Sequence, residues 1–243
     1  MCTSCGCGEH HHHDHEHESH RHHSHGNETT VRVETDILDS NNRFAAENRK
    51  LFYQNDIKAF NLVSSPGSGK TTLLEATCKA LLARGVKVSV IEGDQQTDND
   101  ARRIERAGAR VVQINTAAGC HLDAHGVGHA VEKLQPERDS LLMIENVGNL
   151  VCPAMFDLGE KARVVVISVT EGDDKPLKYP YMFAGSQICV INKTDLLPYV
   201  DSDPERIKAN ARSVNKDLRF FEVSATKGDG MDEWIEFLAA GGK

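Results

Sequence analysis

The chain has 243 residues, of which 39% are hydrophobic and 26% charged, and its net charge is −8 with histidines counted as neutral. This length allows one large domain or two small ones, and the acidic balance argues against nucleic acid as the main partner. No apolar run approaches the roughly 20 residues that span a bilayer, and no signal-peptide core is present, so we expect a cytoplasmic protein without a membrane partner.

The first 30 or so residues form a tail rich in metal-binding side chains. Three cysteines lie within six residues, and ten histidines lie between His10 and His25. Acidic, serine and arginine residues interrupt the histidine run, which favours a natural metal-binding segment over an added purification tag. Because the segment has almost no aliphatic side chains to bury, we predict that residues 1–30 form a metal-binding tail that is disordered without metal.

The cysteines fall into groups with different expected roles. Cys2, Cys5 and Cys7 can close around one ion, with the terminal amine or a backbone amide as a fourth donor. Such mixed sulfur and nitrogen donation suits square-planar Ni²⁺, although Zn²⁺ is also acceptable, whereas the histidines offer many weak sites suited to buffering. The seven cysteines do not resemble a secreted disulfide framework, which favours a reducing compartment. Cys78 and Cys189 lie in apolar runs and are interpreted as small buried hydrophobic residues.

From about Val31 the pattern is that of one α/β domain, which we assign to residues 31–243. An amphipathic helix is predicted near residues 40–55, and further helices over TTLLEATCKALLARG, TDNDARRIERAG and MDEWIEFLAA. Seven apolar, β-branched runs predict strands: KAFNLVSS, VKVSVIEGD, ARVVQIN, SLLMIENVG, RVVVISVT, QICVINKTD and RFFEVSAT. Their alternation with helical stretches predicts a doubly wound, mostly parallel sheet covered by helices on both faces.

The run NLVSSPGSGKTTLLE places a glycine-rich turn between the first strand and a helix, as in a P-loop. The glycines would let backbone N–H groups surround phosphate oxygens. Lys70 would reach the β- and γ-phosphates, and the Thr71 hydroxyl would hold Mg²⁺. Ser64 replaces the first glycine of the motif, which should cost little if its backbone dihedral angles are ordinary. The predicted phosphate-binding residues are Gly67, Ser68, Gly69, Lys70, Thr71 and Thr72.

The sixth predicted strand ends in N-K-T-D, the N-K-x-D pattern of GTPases. The Asp195 carboxylate only accepts hydrogen bonds, so it can pair with the N1–H and 2-amino groups of guanine, whereas adenine offers neither. Lys193 can lie over the base, and Asn192 can tie this loop to the P-loop. A later S-A-T resembles the segment whose backbone N–H contacts guanine O6, so the order of motifs predicts GTP and disfavours an ATP kinase. The predicted base-binding residues are Asn192, Lys193, Asp195, Ser224, Ala225 and Thr226.

Two acidic residues at predicted strand ends are candidates for holding Mg²⁺. Glu145 begins E-N-V-G, a D-x-x-G element with Glu in place of Asp, in which the Gly148 N–H would face the γ-phosphate. Asp94 ends the strand after the P-loop helix and can bind Mg²⁺ or orient the attacking water. Either acid can instead be a solvated strand-end residue. The predicted catalytic residues are Lys70, Asp94, Glu145 and Gly148, and slow intrinsic hydrolysis is expected because the sequence indicates no arginine finger.

A second group of soft donors lies inside the domain. Cys120 and His121 open CHLDAHGVGHAVEKL, and Cys152 follows in ENVGNLVCPAMF. Together they are one donor short of a closed tetrahedral zinc site, and water or a second subunit can supply the fourth. His125 and His129 follow His121 at spacings of four and eight residues, so the three can share a helical face, although surface histidines are commoner than ligands.

Taken together, these motifs resemble the HypB family of hydrogenase nickel incorporation proteins. The resemblance covers nearly the whole chain: the Cys-x-x-Cys-Gly-Cys opening, the His-rich tail, SSPGSGKTTLLE, IEGDQQTDNDARRI, GCHLDA, ENVGNLVCPAMFDLGE, TEGDDKPLKYP and NKTDLLPY. It implies a SIMIBI-class P-loop GTPase that stores nickel and delivers it to the large subunit of NiFe-hydrogenase. It also implies a homodimer favoured by GTP, with Ni²⁺ or Zn²⁺ at Cys120, His121 and Cys152 near the interface. The implied partners are a HypA-type zinc protein and, in some members, a SlyD-type metallochaperone.

The position of Cys152, four residues after Gly148, leads to a hypothesis about coupling. Loss of the γ-phosphate is expected to shift this loop and lower the affinity for nickel. Two other functions stay open. A urease-type nickel GTPase is disfavoured by the cysteine opening and the Cys-His…Cys layout, and a passive nickel or zinc storage protein would keep only a degenerate nucleotide fold.

Overall fold

A computed structural model describes residues 25–94, 99–116 and 119–242 of the chain. The contacts divide the chain at Ile37, and the fold given below is that of the unit Leu38–Lys243. The predicted tail site at Cys2, Cys5 and Cys7 and most of the histidine run lie outside the described residues. The boundary predicted between residues 30 and 31 stays a prediction.

The first helix, α1, spans His25–Gln54. It therefore begins inside the predicted tail, before Val31, from which the sequence pattern turns helical, and well before the amphipathic stretch predicted near residues 40–55. The segment from Glu28 to Gln54 contains no glycine or proline, so nothing in the chain ends the helix earlier.

Seven strands form one sheet within the described residues, and all seven predicted strands are confirmed. They are β1 (Ile57–Ser64), β2 (Val88–Asp94), β3 (Arg110–Asn115), β4 (Ser140–Gly148), β5 (Ala162–Ser168), β6 (Ile188–Asn192) and β7 (Arg219–Glu222). Their order is β3-β2-β4-β1-β5-β6-β7, and every neighbouring pair is parallel. The doubly wound α/β fold is thereby confirmed.

Helices and two short 3₁₀ turns connect the strands. The helices are α2 (Lys70–Ala83), α3 (Asn99–Arg106), α4 (Ala124–Leu134), α5 (Cys152–Met155), α6 (Lys175–Lys178), α7 (Pro180–Ala184), α8 (Pro204–Val214) and α9 (Met231–Ala239). The 3₁₀ turns are Val169–Glu171 and Thr194–Tyr199. None of the helices in the described ranges has the length and apolar character of a membrane span.

Apolar side chains cover the sheet on both faces. On one face, Leu74 of α2 and Trp234 of α9 belong to the same buried cluster as Leu62 of β1. On the other face, one buried cluster includes Val127 of α4, and a second includes Met182 of α7. Burial on both faces explains why the strands are nearly continuous apolar runs without polar alternation.

The strand order determines where a ligand can bind. The chain leaves β1 towards β2 and β3 on one side, and later fills the other side with β5, β6 and β7. In an open parallel sheet, the crevice at such a reversal lies at the carboxyl ends of the strands. The loops after β1, β2 and β4 meet at this edge.

Candidate nucleotide site and metal cluster

A polar cleft of about 290 Å³ opens at the carboxyl ends of β1, β2 and β4, and we call it the phosphate cleft. Its lining includes every residue predicted to contact phosphate or Mg²⁺: Gly67, Ser68, Gly69, Lys70, Thr71, Thr72, Asp94, Glu145 and Gly148. The fold therefore brings these residues together from three separate loops, while their roles as ligands stay predictions.

The backbone of the P-loop explains its glycines. Gly67 and Gly69 have φ angles of 79° and 90°, which side chains other than glycine rarely adopt. A Cβ atom on Gly69 would lie 2.6 Å from Nδ2 of Asn192, so the close approach of the second loop also requires glycine there. Ser64 ends strand β1 in ordinary strand geometry, and it therefore replaces the first glycine of the motif without backbone strain.

The floor of the phosphate cleft is acidic. The Thr71 hydroxyl donates to Oε1 of Glu145 at 2.7 Å and lies 3.2 Å from Oδ2 of Asp100. Lys70 forms an ion pair with Glu145, with Nζ 3.5 Å from Oε1. Glu92 lies beside Glu145 in the register of β2 and β4. The Oε2 atom of each is buried and has no hydrogen-bond partner among the described residues.

This concentration of carboxylates affects their protonation. Burial raises the pKa of Glu92 to about 8, and the nearby charge of Glu145 adds to the effect. Burial also raises the pKa of Glu145, against the opposing influence of Lys70 and Thr71. Buried carboxylate oxygens that lack partners, beside a threonine hydroxyl, form a donor set that fits a hard divalent cation such as Mg²⁺.

Sequence reasoning assigned no role to Glu92, Asp100, Arg103 or Asn146, which also line this cleft. Glu92 lies inside an apolar run, but it stands two residues before Asp94, so strand alternation indicates that both face the same side. Asp100 and Arg103 lie on α3, and Arg103 donates to Oγ1 of Thr72 at 3.1 Å and to Glu75 at 3.0 Å. Most of α3 lies within IEGDQQTDNDARRI, a motif that supports the family resemblance but assigns no role to these two residues. Their contacts with the P-loop helix depend on how the two helices pack.

The N-K-T-D loop after β6 is joined to the P-loop by hydrogen bonds. Nδ2 of Asn192 donates to the carbonyl oxygen of Ser68 at 3.0 Å. Nζ of Lys193 donates to the carbonyl oxygen of Gly67 at 2.6 Å, and Lys193 adopts a positive φ of 62°. The two loops therefore hold each other in place before any ligand binds.

The loop after β7 completes a second cleft of about 270 Å³ beside the N-K-T-D loop, and we call it the base cleft. Asp195, Ala225 and Thr226 line it, together with Asn192 and Lys193. The hydroxyl of Ser224, which is buried behind the cleft, donates to Oδ1 of Asp195 at 2.6 Å. The Asp195 carboxylate is therefore fixed in a position where it can accept further hydrogen bonds from a base.

Cys120, His121 and Cys152 form a compact group that we call the metal cluster. Their ligand atoms lie within 4.8 Å of one another, and each residue is half-buried. The His121 ring stacks on Phe156 with ring centroids 3.9 Å apart. Burial lowers the pKa of His121, with the opposing influence of Asp123, which favours the neutral imidazole that binds metals. Two thiols and one imidazole suit Ni²⁺ or Zn²⁺.

The prediction that His121 shares a helical face with His125 and His129 is wrong. Helix α4 begins only at Ala124, because the Asp123 side chain caps it by accepting a hydrogen bond from the backbone N–H of Gly126 at 2.7 Å. His125 and His129 lie together on the exposed side of α4, with Nε2 atoms 3.1 Å apart.

Two other cysteines are buried, as predicted. Cys78 on α2 and Cys189 on β6 have no exposed surface. Burial raises the pKa of Cys78 to about 12 and that of Cys189 still higher. Both are therefore thiols at neutral pH and unsuited to bind metal.

Comparison with known proteins yields consistent similarities. The family described as "CobW/HypB/UreG, nucleotide-binding domain" matches residues 58–222. The hydrogenase maturation factor HypB of Rhizobium leguminosarum bv. viciae is 58% identical over 216 residues, which are 88% of this chain and 72% of the relative. The range matched by the family, residues 58–222, includes the P-loop, the N-K-T-D segment and all three residues of the metal cluster.

Two solved structures have a similar fold. The crystal structure of HypB from Archaeoglobus fulgidus has a TM-score of 0.77 at 41% identity, and the match covers 83% of this chain and 98% of that one. HypB from Helicobacter pylori in complex with nickel has a TM-score of 0.78 at 35% identity, covering 83% and 94% of the two chains.

Proposed function

The chain belongs to the HypB family of hydrogenase maturation factors, within the CobW/HypB/UreG group of nucleotide-binding proteins, and on this premise we propose that it is a GTP-hydrolysing nickel metallochaperone. It stores nickel and delivers it to the large subunit of NiFe-hydrogenase. The observation that carries the proposal is the position of the metal cluster. Cys152 begins helix α5, four residues after the end of the strand that lines the phosphate cleft.

The geometry of the two clefts supports GTP as the nucleotide. Asp195, held by Ser224, is placed to accept hydrogen bonds from the N1–H and 2-amino groups of guanine, which adenine lacks. Lys70 lies at the start of α2, where its charge and the backbone N–H groups of the P-loop can bind the terminal phosphates. ATP would leave the carboxylate of Asp195 without these partners.

Hydrolysis is proposed to occur in the phosphate cleft. The oxygen of a water molecule attacks the γ-phosphorus, the bond to the β–γ bridging oxygen breaks, and the products are GDP and phosphate. Asp94 orients this water or contributes to cation binding, and Lys70 neutralises charge on the departing diphosphate. Mg²⁺ bound by Thr71 and Glu145 would supply additional charge neutralisation.

The nucleotide state is proposed to control nickel release. Gly148 lines the phosphate cleft, and only three residues separate it from Cys152. Loss of the γ-phosphate would shift this segment, move the Cys152 thiolate relative to Cys120 and His121, and weaken Ni²⁺ binding.

A second subunit is the proposed source of the missing fourth donor. Val151 and Met155, on either side of Cys152, are 59% and 57% exposed, so an apolar contact is available next to the metal cluster. A GTP-favoured homodimer would use it, and a HypA-type zinc protein and a SlyD-type metallochaperone are further proposed partners. We also propose a cytoplasmic location, in keeping with Cys120 and Cys152, which form no disulfide within the described residues.

The test is a comparison of Ni²⁺ affinity in two nucleotide states. The full chain carries Cys2→Ser, Cys5→Ser and Cys7→Ser so that the tail thiols do not contribute. We expect tighter Ni²⁺ binding with a non-hydrolysable GTP analogue than with GDP, and equal affinities would contradict the proposed coupling. Deletion of residues 1–26 provides a second test, because a passive storage protein would lose its function whereas a GTPase metallochaperone would keep hydrolysis and binding at the metal cluster.

A further inference from the structure

A hydrogen-bonded network of buried polar side chains begins near the end of β4, next to the phosphate cleft. Oδ1 of Asn146 accepts a hydrogen bond of 3.0 Å from the backbone N–H of Leu122, the residue after His121. Its Nδ2 donates to Oδ1 of Asn61 at 3.3 Å, and Nδ2 of Asn61 donates to Oε1 of Glu160 at 3.1 Å. One amide therefore links the loop of Cys120 and His121 to the central strand β1.

At its other end, this network of polar side chains holds the segment that follows Cys152. Glu160 pairs with Arg163, with Oε1 and Nη2 3.3 Å apart. The two Nη atoms of Arg163 donate to the carbonyl oxygens of Ala154 and Phe156, at 2.9 Å each. Because the Phe156 ring stacks on His121, this ion pair supports both halves of the metal cluster.

The burial of these groups is unusual for a sheet covered by apolar residues. Asn61 and Asn146 are 0% and 1% exposed, and Arg163 is 7% exposed. The neighbouring positions on the same face of β1, Ala59 and Val63, are apolar and fully buried or nearly so. Apolar residues could therefore fill the core at lower desolvation cost, which indicates that the network serves a purpose other than stability.

We propose that Asn146, Asn61, Glu160 and Arg163 are positioning residues, which hold the two loops of the metal cluster in one geometry and connect that geometry to the phosphate cleft. The inference rests on the proposed function, because it assigns these residues to the binding of nickel by the metal cluster. Asn146 itself lines the phosphate cleft. A shift of the end of β4 would therefore be transmitted through Asn146 to Leu122 and through Asn61 to the segment after Cys152.

The experiment uses a pair of substitutions that exchange an amide and a carboxylate. Asn61→Asp removes the donor to Glu160 and places two carboxylates next to each other, so we expect Ni²⁺ affinity to fall about 10- to 100-fold, as for loss of other outer-shell partners of metal ligands. Glu160→Gln alone weakens the pairing with Arg163 and is expected to lower the affinity about tenfold. The two variants are measured separately, because Oε1 of Glu160 accepts from both Asn61 and Arg163 and Oε2 accepts from the backbone N–H of Leu158 at 2.7 Å. An amide nitrogen at residue 160 would therefore face a donor in either orientation.

All chains carry Cys2→Ser, Cys5→Ser and Cys7→Ser, and all are measured with GDP bound. Ni²⁺ affinity is obtained by competition with a chelator, and the sulfur-to-nickel charge-transfer absorption reports the geometry of the metal cluster. The matched control is Asn215→Leu. It removes an amide that donates to the carbonyl oxygens of Phe183 and Ser186 and touches neither loop, so Ni²⁺ affinity and absorption should stay unchanged.

The results separate this inference from the proposed function. Asn61→Asp with wild-type affinity and absorption would overturn the positioning role, and so would Glu160→Gln with both quantities unchanged. Equal Ni²⁺ affinity of the wild-type chain with GDP and with a GTP analogue would contradict the proposed control of nickel binding by the nucleotide. It would leave the positioning role standing, because that role is measured in one nucleotide state. Thermal unfolding and GDP binding of each variant establish that it is folded. If one of the two variants is not folded, the other decides the matter.

Discussion

The nucleotide site and the metal cluster lie at the same edge of the sheet, but they are built in opposite ways. The nucleotide site consists of loops that hydrogen-bond to one another, as Asn192 does to Ser68 and Ser224 to Asp195. The metal cluster takes its donors from two loops. Sγ of Cys120 lies 3.5 Å from Nδ1 of His121, and Nδ2 of Asn149 donates to Sγ of Cys152 at 3.7 Å. The first site is preorganised for its ligand, whereas the second depends on the residues around it.

The two sites also differ in burial and charge. Glu92 and Glu145 on the floor of the phosphate cleft are 2% and 3% exposed, whereas the three residues of the metal cluster are half-buried. A buried and preorganised site suits tight binding of one nucleotide. A half-exposed group of three donors is open to an incoming fourth donor, which suits a site that accepts a metal ion and passes it on.

The largest expected effect concerns the base cleft, where preorganisation makes one side chain decisive. Asp195→Asn replaces an acceptor by an amide, which pairs with xanthine in place of guanine. We expect the ratio of GTP to xanthosine triphosphate affinity to fall by about 10⁴-fold, since a site built to form hydrogen bonds strongly rejects a ligand that cannot make them. Titrations of the wild type and of Asp195→Asn with each nucleotide measure the ratio. An unchanged preference would mean that Asp195 does not bind the base.

Lys70→Ala tests the phosphate cleft. Loss of a preorganised charge at the developing negative charge should lower kcat for GTP hydrolysis about 1,000-fold, while Ni²⁺ binding to the metal cluster with GDP bound stays close to wild type. Phosphate release assays and chelator competition measure the two quantities. The exposed Lys79 on the same helix, which pairs with Glu75, offers a control, and Lys79→Ala should leave both unchanged.

Cys152→Ala makes the reverse test in the metal cluster. We expect Ni²⁺ affinity to fall at least about 100-fold, because the loss of a ligand should exceed the effect of losing an outer-shell partner. GTP affinity should be retained, since the two clefts do not include Cys152. Cys189→Ala is the matched control, because Cys189 is a buried thiol that is not one of the three donors of the metal cluster. If Cys152→Ala binds Ni²⁺ as wild type does, the metal cluster is not the nickel site.

The same contrast explains what the sequence could predict. The seven strands and the P-loop follow from patterns that are local in the chain, and the sheet order then brings Asp94, Glu145 and Gly148 into one cleft. The sequence also indicates Cys120, His121 and Cys152, since their donor chemistry and the family resemblance agree.

Two of the residues that sequence reasoning missed, Asn61 and Asn146, are polar positions inside apolar strands. Asn61 and Asn146 bond to each other across 85 positions of the chain, and Asn61 bonds to Glu160 across 99. In strands buried on both faces polar and apolar residues do not alternate, so no sequence pattern indicates which face of the sheet leads towards a functional site. The error at His121 is different in kind, because spacing alone cannot locate a helix start, although Asp123 is a common N-cap residue.

The smallest expected effect comes from Glu92, and it tests whether the floor of the phosphate cleft is held ready for a cation. Burial raises the pKa of Glu92 from near 4.5 to about 8, so between these values the folded chain binds a proton that the unfolded chain does not. Stability should therefore fall as pH rises through this window, by up to about 1.4 kcal/mol per pH unit. Glu92→Gln removes this contribution, and urea unfolding of the nucleotide-free chain should show the wild type losing roughly 2 kcal/mol more than the variant between pH 6 and pH 8.

The control for this measurement is Glu137→Gln, at an exposed glutamate that pairs with Lys87, which should keep the wild-type dependence on pH. Addition of Mg²⁺ and a GTP analogue should flatten the wild-type curve, because a cation on the floor stabilises the carboxylate form and removes the proton that folding otherwise takes up. Equal slopes for the wild type and Glu92→Gln would show that Glu92 is charged in the folded chain without a cation. The contrast between a buried acidic floor that needs a cation and an open metal cluster would then no longer hold.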